Sequence, residues 1–110
     1  MSDLTVKQIF EEKIAGELQS NPNKVAGINA IYQFNITGDN GANYWVDLTA
    51  EPYKVGAGTN DNPNCTITAS DNDFTDMVAG KLNGQMAFMT GKLKIAGDMG
   101  LALKLQKLIG

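Results

Sequence analysis

The sequence predicts an α+β fold, because one amphipathic helix precedes a run of short strands and further helices follow near the end of the chain. A length of 110 residues suits one hydrophobic core, so a single domain over residues 1–110 is expected. Hydrophobic residues make up 43% and charged residues 19% of the chain, as in an ordinary soluble globular protein. No apolar run approaches the roughly 18 residues that a transmembrane helix needs.

The first helix is predicted to begin at Thr5, which forms a capping-box pattern with Gln8. Apolar residues recur at helical spacing from Val6 to Leu18. Residues 21–22, an Asn-Pro pair, are expected to end this helix.

Alternation of side-chain character predicts the strands. The turn composition of residues 38–41 makes residues 28–49 a predicted hairpin. Within the third strand, Gly56 and Gly58 indicate a bulge or a close backbone approach. The five predicted strands cover residues 28–37, 44–49, 53–58, 65–69 and the stretch around Leu93 and Ile95.

Three helices are predicted in the last third of the chain. Ser70 is a suitable N-cap for the first, and acidic residues follow it in the first turn. The second covers Gly84 to Met89, and the third runs from the capping residue Asp98 to about Leu108.

The last of these helices is apolar on two faces. At 100° per residue, Leu101 and Leu105 fall on one stripe, whereas Met99 and Leu103 fall on nearly the opposite side. A small domain has little protein to cover a second apolar face. The face with Met99 and Leu103 is therefore expected either to be buried as well or to contact something else apolar.

Charge is divided unevenly along the chain. Residues 1–76 carry four lysines against eleven acids, and residues 77–110 carry five lysines against one acid, giving net charges of −7 and +4. This asymmetry could steer an anionic ligand or a membrane surface to one end, or it could simply solvate exposed faces. Nucleic acid is not an expected partner, because the chain is acidic overall and has no arginine.

Candidate catalytic and metal-binding motifs have weak support. The chain has no histidine, so Cys65 lacks the usual activating base and is interpreted as buried filler. Residues 71–73 begin like a calcium loop but lack its later glycine and glutamate, and residues 90–92 lack the spacing of a phosphate loop. No catalytic residue, metal or cofactor is predicted, and a small enzyme is the disfavoured reading.

Four of the five methionines lie within 23 residues of one another, which indicates either core packing or an adaptable apolar surface. The surrounding sequence resembles the sterol carrier protein 2 family. The resemblance is dense from residue 65 to residue 108 and looser but compatible upstream. It rests on residues 65–68, 70–71, 73–74, 80–81, Gln85, 87–88, 91–95, Gly97, 99–102 and 104–106, in that order and spacing.

The resemblance implies a five-stranded, mostly antiparallel sheet covered on one side by helices and enclosing a hydrophobic lipid tunnel. It also implies non-catalytic intracellular binding and transfer of fatty acids, fatty acyl-CoA and possibly sterols. The alternative is an accessory domain that presents acyl-CoA to a fatty-acid oxidation enzyme. The partners expected on this basis are a lipid ligand and, transiently, membranes or fatty-acid oxidation enzymes.

The expected tunnel lining combines this resemblance with the apolar pattern of the sequence. Gln85 and Gln106 are the expected polar anchors for a lipid headgroup, although simple solvation of both side chains stays open. The predicted lipid-binding residues are Trp45, Phe74, Met77, Leu82, Gln85, Met86, Phe88, Met89, Met99, Leu103 and Gln106.

Two sequence features bear on localisation. The N-terminal residues have neither a basic start nor an apolar segment, so a soluble intracellular, cytoplasmic protein is expected. The family resemblance adds the peroxisomal matrix as an alternative for a eukaryotic source. However, residues 108–110 do not form the Ser-Lys-Leu type of import signal, which puts import by that signal in doubt.

Overall fold

The computed structural model describes residues 5–109, with side chains through residue 104. The strands are β1 (Ile31–Thr37), β2 (Asn43–Asp47), β3 (Lys54–Ala57), β4 (Cys65–Ser70) and β5 (Leu93–Gly97). The helices are α1 (Val6–Gln8), a π-helical stretch (Ile9–Ile14), α2 (Ala15–Ser20), a 3-10 helix (Pro22–Val25), α3 (Asp71–Val78), α4 (Gly84–Met89) and α5 (Met99–Ile109).

The strands form one sheet in the order β3-β2-β1-β4-β5. β1 and β4 pair in parallel, and every other neighbouring pair is antiparallel. The helices cover one face of this sheet and the core lies between them and the strands. The predicted α+β class and mostly antiparallel sheet are confirmed.

The predicted opening helix is confirmed and carries the predicted capping box. The Gln8 amide donates to Thr5 Oγ1 at 3.1 Å, and the Thr5 amide donates to Gln8 Oε1 at 2.9 Å. The π-helical stretch in its middle was not predicted, because apolar spacing does not separate i→i+5 from i→i+4 hydrogen bonding over so few residues.

Phe10, on that π-helical stretch, is at the centre of an aromatic cluster over β1 and β2. Its ring stacks on Tyr44 with the centroids 4.5 Å apart and on Phe74 at 5.3 Å, and it meets the edge of Phe34 at 5.0 Å. Phe10, Phe34 and Phe74 are fully buried. The cluster therefore fills the space between the opening helix and the central strands.

The predicted alternation in β1 is confirmed from Ile31 onward. Tyr32, Phe34 and Ile36 point into the core. The strand starts three residues later than predicted, because Asn29 adopts a left-handed backbone conformation with φ of 52°. The β1–β2 hairpin has the predicted antiparallel pairing.

Gln33 lies on the opposite face of the sheet, yet only 2% of its surface is exposed. The loop after β3 folds over it. Gln33 Nε2 donates to the Gly58 carbonyl at 3.1 Å, and the Asn60 amide donates to Gln33 Oε1 at 2.7 Å. A buried amide with both ends hydrogen-bonded holds this loop against the sheet.

Asn64 joins three segments of the chain. Its side-chain oxygen accepts the Ile31 amide at 2.9 Å, and its own amide donates to the Ile31 carbonyl at 2.8 Å. Its carbonyl accepts the Asp98 amide at 3.2 Å. Gly97 has φ of 95°, and a Cβ there would collide with this carbonyl, so the turn from β5 to α5 needs glycine.

The predicted helix caps near the end of the chain are confirmed. The Asp73 amide donates to Ser70 Oγ at 3.1 Å at the start of α3. The amides of Gly100 and Leu101 donate to Asp98 Oδ1 at 2.8 and 3.3 Å at the start of α5. Within residues 5–109, none of the helices combines the length and apolar character required to cross a bilayer.

Candidate functional site

An apolar cavity of about 330 Å³ lies at the β5 end of the sheet, among β4, α3, α4, β5 and α5. Its volume falls in the range typical of small-ligand sites. The residues that line it are Ile67, Phe74, Met77, Gly84, Gln85, Phe88, Met89, Leu93, Ile95, Met99, Ala102 and Leu103.

The floor of the cavity is formed by the sheet and α3. Ile67 of β4 pairs with Ile95 of β5, so both side chains project from the helix-covered face. Phe74 and Met77 of α3 are one helical turn apart and are both buried. These apolar residues make the deep part of the cavity.

One wall is α4, a six-residue helix whose start is capped by Asn83. The amides of Gln85 and Met86 donate to Asn83 Oδ1 at 2.8 and 3.3 Å. Ala87 is the only buried residue of this helix, and it anchors α4 to the core. The larger side chains of α4 are exposed, and those of Gln85, Phe88 and Met89 line the cavity.

The other wall is the first part of α5. Tyr32 Oη donates to the Leu101 carbonyl at 2.6 Å, which fastens the helix to the central strand. Leu101 packs against the core, while Met99, Ala102 and Leu103 line the cavity. Leu101 is thus on the core-facing side of α5, and Met99 and Leu103 are on the cavity-facing side. The side chain of Leu105, the other residue of the predicted first stripe, lies outside the described residues.

The lining residues that the structure describes carry no ionisable side chain. Among them, Gln85 has the one polar side chain. The nearby Cys65 is 1% exposed, and burial raises the pKa of its thiol to about 11. Among the described residues, no group of His, Cys, Asp or Glu side chains is arranged to hold a metal ion.

The structure brings seven of the predicted lipid-binding residues together around the cavity. These are Phe74, Met77, Gln85, Phe88, Met89, Met99 and Leu103. They come from three helices that are separate in the sequence, and α5 contributes both residues of its predicted second face.

Three predicted residues lie elsewhere. Trp45 pairs with Gln33 in the sheet register, so it projects from the face opposite the cavity, where its ring covers Gly56. Leu82 is half-buried and packs against the core outside the cavity, and Met86 is 55% exposed on the outer side of α4. Gln106 is on α5, but its side chain lies outside the described residues.

Sequence reasoning missed five lining residues, namely Ile67, Gly84, Leu93, Ile95 and Ala102. The three strand residues alternate like ordinary core residues. No sequence signal separates an apolar side chain that faces protein from one that faces an empty space. Gly84 and Ala102 line the cavity because they are small, a property that the sequence pattern did not single out.

The fold and the cavity define a class: an α+β protein with an open sheet, helices on one face and an apolar binding cavity at one end. The chain belongs to the SCP-2 sterol transfer family, whose family profile matches residues 7–110. The resemblance seen in the sequence is thereby confirmed.

Similar proteins include larger enzymes. The chain is 43% identical over 95 residues to "Hydroxysteroid dehydrogenase-like protein 2" of Xenopus laevis, covering 86% of this chain and 23% of that protein. It is 50% identical over 88 residues to "Peroxisomal multifunctional enzyme A" of Dictyostelium discoideum, covering 77% of this chain and 20% of that protein. The chain thus spans about a fifth of the length of these relatives.

Among solved structures, the fold matches sterol carrier protein 2 of Aedes aegypti, determined in complex with the C16 fatty acid palmitate. The TM-score is 0.77 at 27% sequence identity, and the match covers 100% of this chain and 97% of the mosquito protein. The solved mosquito chain is therefore about as long as this one.

Proposed function

We propose that residues 1–110 form a single lipid-carrier domain that binds and transfers a fatty acid or fatty acyl-CoA, with sterols as further candidates. The observation that supports this most strongly is the 330 Å³ cavity, whose described lining residues are apolar except for Gln85. Such a surface favours a long apolar chain and offers one polar group for a headgroup.

The free-energy cost of an empty cavity supports the proposal that a lipid occupies it. At about 24 cal/mol per Å³, a closed void of this volume would cost roughly 8 kcal/mol, a large part of the typical 5–15 kcal/mol of folding stability. The mouth is open, so water reduces that cost, but a lipid tail would bury the lining completely. Palmitate is the ligand named for the mosquito relative.

The proposed binding residues are the apolar cavity lining together with Gln85 as the anchor for the headgroup. Gln106 is proposed as a second anchor for the headgroup, on the basis of the sequence alone. Burying about 15 methylene groups at roughly 0.8 kcal/mol each would contribute about 12 kcal/mol, against association costs of about 4–15 kcal/mol. The expected affinity is therefore modest, which suits a carrier that must release its ligand.

The domain is proposed to be non-catalytic, a proposal supported by the described lining residues, which include no nucleophile, acid or base. The second candidate function is an accessory domain that presents acyl-CoA to a fatty-acid oxidation enzyme. It is favoured by the enzyme names of the relatives and by their greater length. A cytoplasmic location is proposed, with the peroxisomal matrix as the alternative for a eukaryotic source; the name of the Dictyostelium relative supports that alternative.

Titration with a fluorescent fatty acid, followed by displacement with palmitate, tests the proposed function. Saturable binding that palmitate reverses is expected, and mass spectrometry of a solvent extract should detect bound lipid. Absence of saturable, competable binding would contradict the carrier function. Incubation with acyl-CoA should leave it unchanged; formation of a product would contradict the non-catalytic assignment.

A further inference from the structure

Of the four methionines that the structure describes, three line the cavity, and they differ in their exposure to water. Met77 is in the deep part and exposes 7% of its surface, whereas Met89 and Met99 expose 79% and 45%. Met86 is exposed as well, at 55%, but lies outside the lining. Met89 and Met99 therefore carry the thioethers that are accessible both from water and from the cavity.

These two methionines belong to different walls of the cavity. Met89 is the last residue of α4, and Met99 is the first residue of α5. Gln85 has the one polar side chain among the described lining residues. A polar group created at Met89 or Met99 would thus lie among mainly apolar side chains, and a bound lipid tail would cover it with methylene groups.

The sulfur of Cys65 is protected from oxidation by its burial. The residue is 1% exposed, and burial raises the pKa of its thiol to about 11, so the reactive thiolate is scarce at neutral pH. A thioether has no such proton to lose, and its oxidation depends on access. Among the described sulfur atoms, those of the exposed methionines are expected to react first.

We propose that Met89 and Met99 form a modification site, at which a water-soluble hydroperoxide oxidises both thioethers to sulfoxides and thereby weakens lipid binding. One oxygen of the peroxide passes to sulfur as the O–O bond breaks and an S–O bond forms. The proton of the hydroperoxide ends on the other oxygen, which leaves as water or an alcohol. The thioether loses the two electrons that the peroxide gains.

The effect on binding follows from the polarity of the sulfoxide. Its oxygen accepts hydrogen bonds from water and loses them when a lipid tail covers it. The inference rests on the proposed carrier function and adds a means of regulating it by oxidation.

A bound lipid should in turn protect the two methionines, because covering them and oxidising them exclude each other. Peptide mass spectrometry of the delipidated protein after timed exposure to hydrogen peroxide measures the oxidation of each methionine. Saturating palmitate should slow oxidation of Met89 and Met99 at least about threefold. It should leave the rate at Met86 unchanged, since Met86 lies outside the lining.

Fluorescent fatty-acid titration before and after peroxide treatment measures the effect on affinity. The oxidised protein should bind at least about tenfold more weakly. Treatment with methionine sulfoxide reductases for both sulfoxide epimers should restore the affinity.

Two variants assign the effect to residues, each compared with itself before and after oxidation so that differences in initial affinity do not matter. The double variant Met89→Leu/Met99→Leu retains apolar side chains of similar volume and should lose less than about twofold on oxidation. The control Met86→Leu keeps both cavity thioethers and should lose affinity as the unchanged protein does.

A loss on oxidation that persists in the double variant would overturn the assignment, and so would protection of Met86 equal to that of Met89 and Met99. A protein that binds fatty acid equally well before and after both methionines are oxidised contradicts the modification site alone. One that binds no fatty acid before oxidation contradicts the proposed function and this inference with it.

Discussion

The two ends of the sheet use the same kinds of residue to opposite effect. Over β1 and β2, the opening helix places Phe10 between Tyr44 and Phe74, and the space is filled with protein. Over β4 and β5, short helices border a cavity of about 330 Å³. Burial of the first region stabilises the fold, and the incomplete cover of the second leaves room for a ligand.

The two ends of the sheet are covered to different extents because their helices bury different numbers of apolar residues. The opening helical segment, residues 6–20, buries five apolar residues against the sheet, namely Val6, Ile9, Phe10, Ile14 and Leu18. α4 buries Ala87 alone, so it has little area with which to close the space. The cavity therefore lies where the helices bury the fewest apolar residues against the sheet.

Phe10→Ala is expected to give the largest effect. Removing a fully buried ring that contacts three aromatic rings should lower the free energy of unfolding by about 3–5 kcal/mol, measured by urea denaturation. Phe88→Ala is the matched change at the other end, where the ring is 43% exposed. It should cost under about 1 kcal/mol while weakening fatty-acid binding. Equal losses of stability would contradict the distinction between the two regions.

Leu103→Asp is expected to weaken fatty-acid binding by at least about tenfold, because it puts a charge on an apolar cavity wall. Met86→Asp is the control, since Met86 is about as exposed but lies outside the lining. Fluorescent fatty-acid titration of both variants measures the difference. If Leu103→Asp binds like the unchanged protein, the assignment of the second face of α5 to the ligand is wrong.

Ala102→Leu should partly fill the cavity, so that this region resembles the tightly packed region around Phe10. Its longer side chain would occupy part of the void, raising the free energy of unfolding of the ligand-free protein by about 1 kcal/mol and lowering fatty-acid affinity. Thermal unfolding with and without palmitate checks both effects. A variant with reduced stability and unchanged affinity would show that Ala102 has no free space in front of it.

The fluorescence of Trp45 should not change when a ligand binds. Its ring lies over Gly56 on the opposite face of the sheet, so palmitate is expected to leave its emission maximum in place. Fluorescence of the chain's single tryptophan measures this directly. A clear shift on saturation would mean that the ligand, or a movement that it causes, reaches the far side of the sheet.

The sequence was most informative where local chemistry sets the structure. The pair Thr5 and Gln8, the N-cap Ser70 and the cap Asp98 are specified by short-range hydrogen bonds, and all occur as predicted. Strand alternation likewise predicted the inward face of β1. The two-sided pattern of α5, together with the family resemblance, led to the prediction that Met99 and Leu103 face a cavity, and both line it in the structure.

Long-range placement was harder to predict. The side of the sheet that Trp45 occupies depends on its pairing with Gln33, and aromatic character alone does not reveal that register. The burial of Gln33 depends on a loop that crosses the sheet from β3. Ile67 and Ile95 were missed because facing a cavity and facing a core require the same apolar side chain.

The Asn64 junction has a consequence for the order of folding. Asn64 is hydrogen-bonded to Ile31, which lies 33 positions earlier in the chain. The carbonyl of Asn64 also accepts the Asp98 amide, and this carbonyl is in place only after the loop between Ile31 and Asn64 has closed. The cavity-forming segments are therefore expected to dock late. Until β5 pairs with β4, the β4 edge offers unpaired amides and carbonyls to any neighbouring chain, so a nascent or slowly folding molecule is most prone to aggregation at that edge.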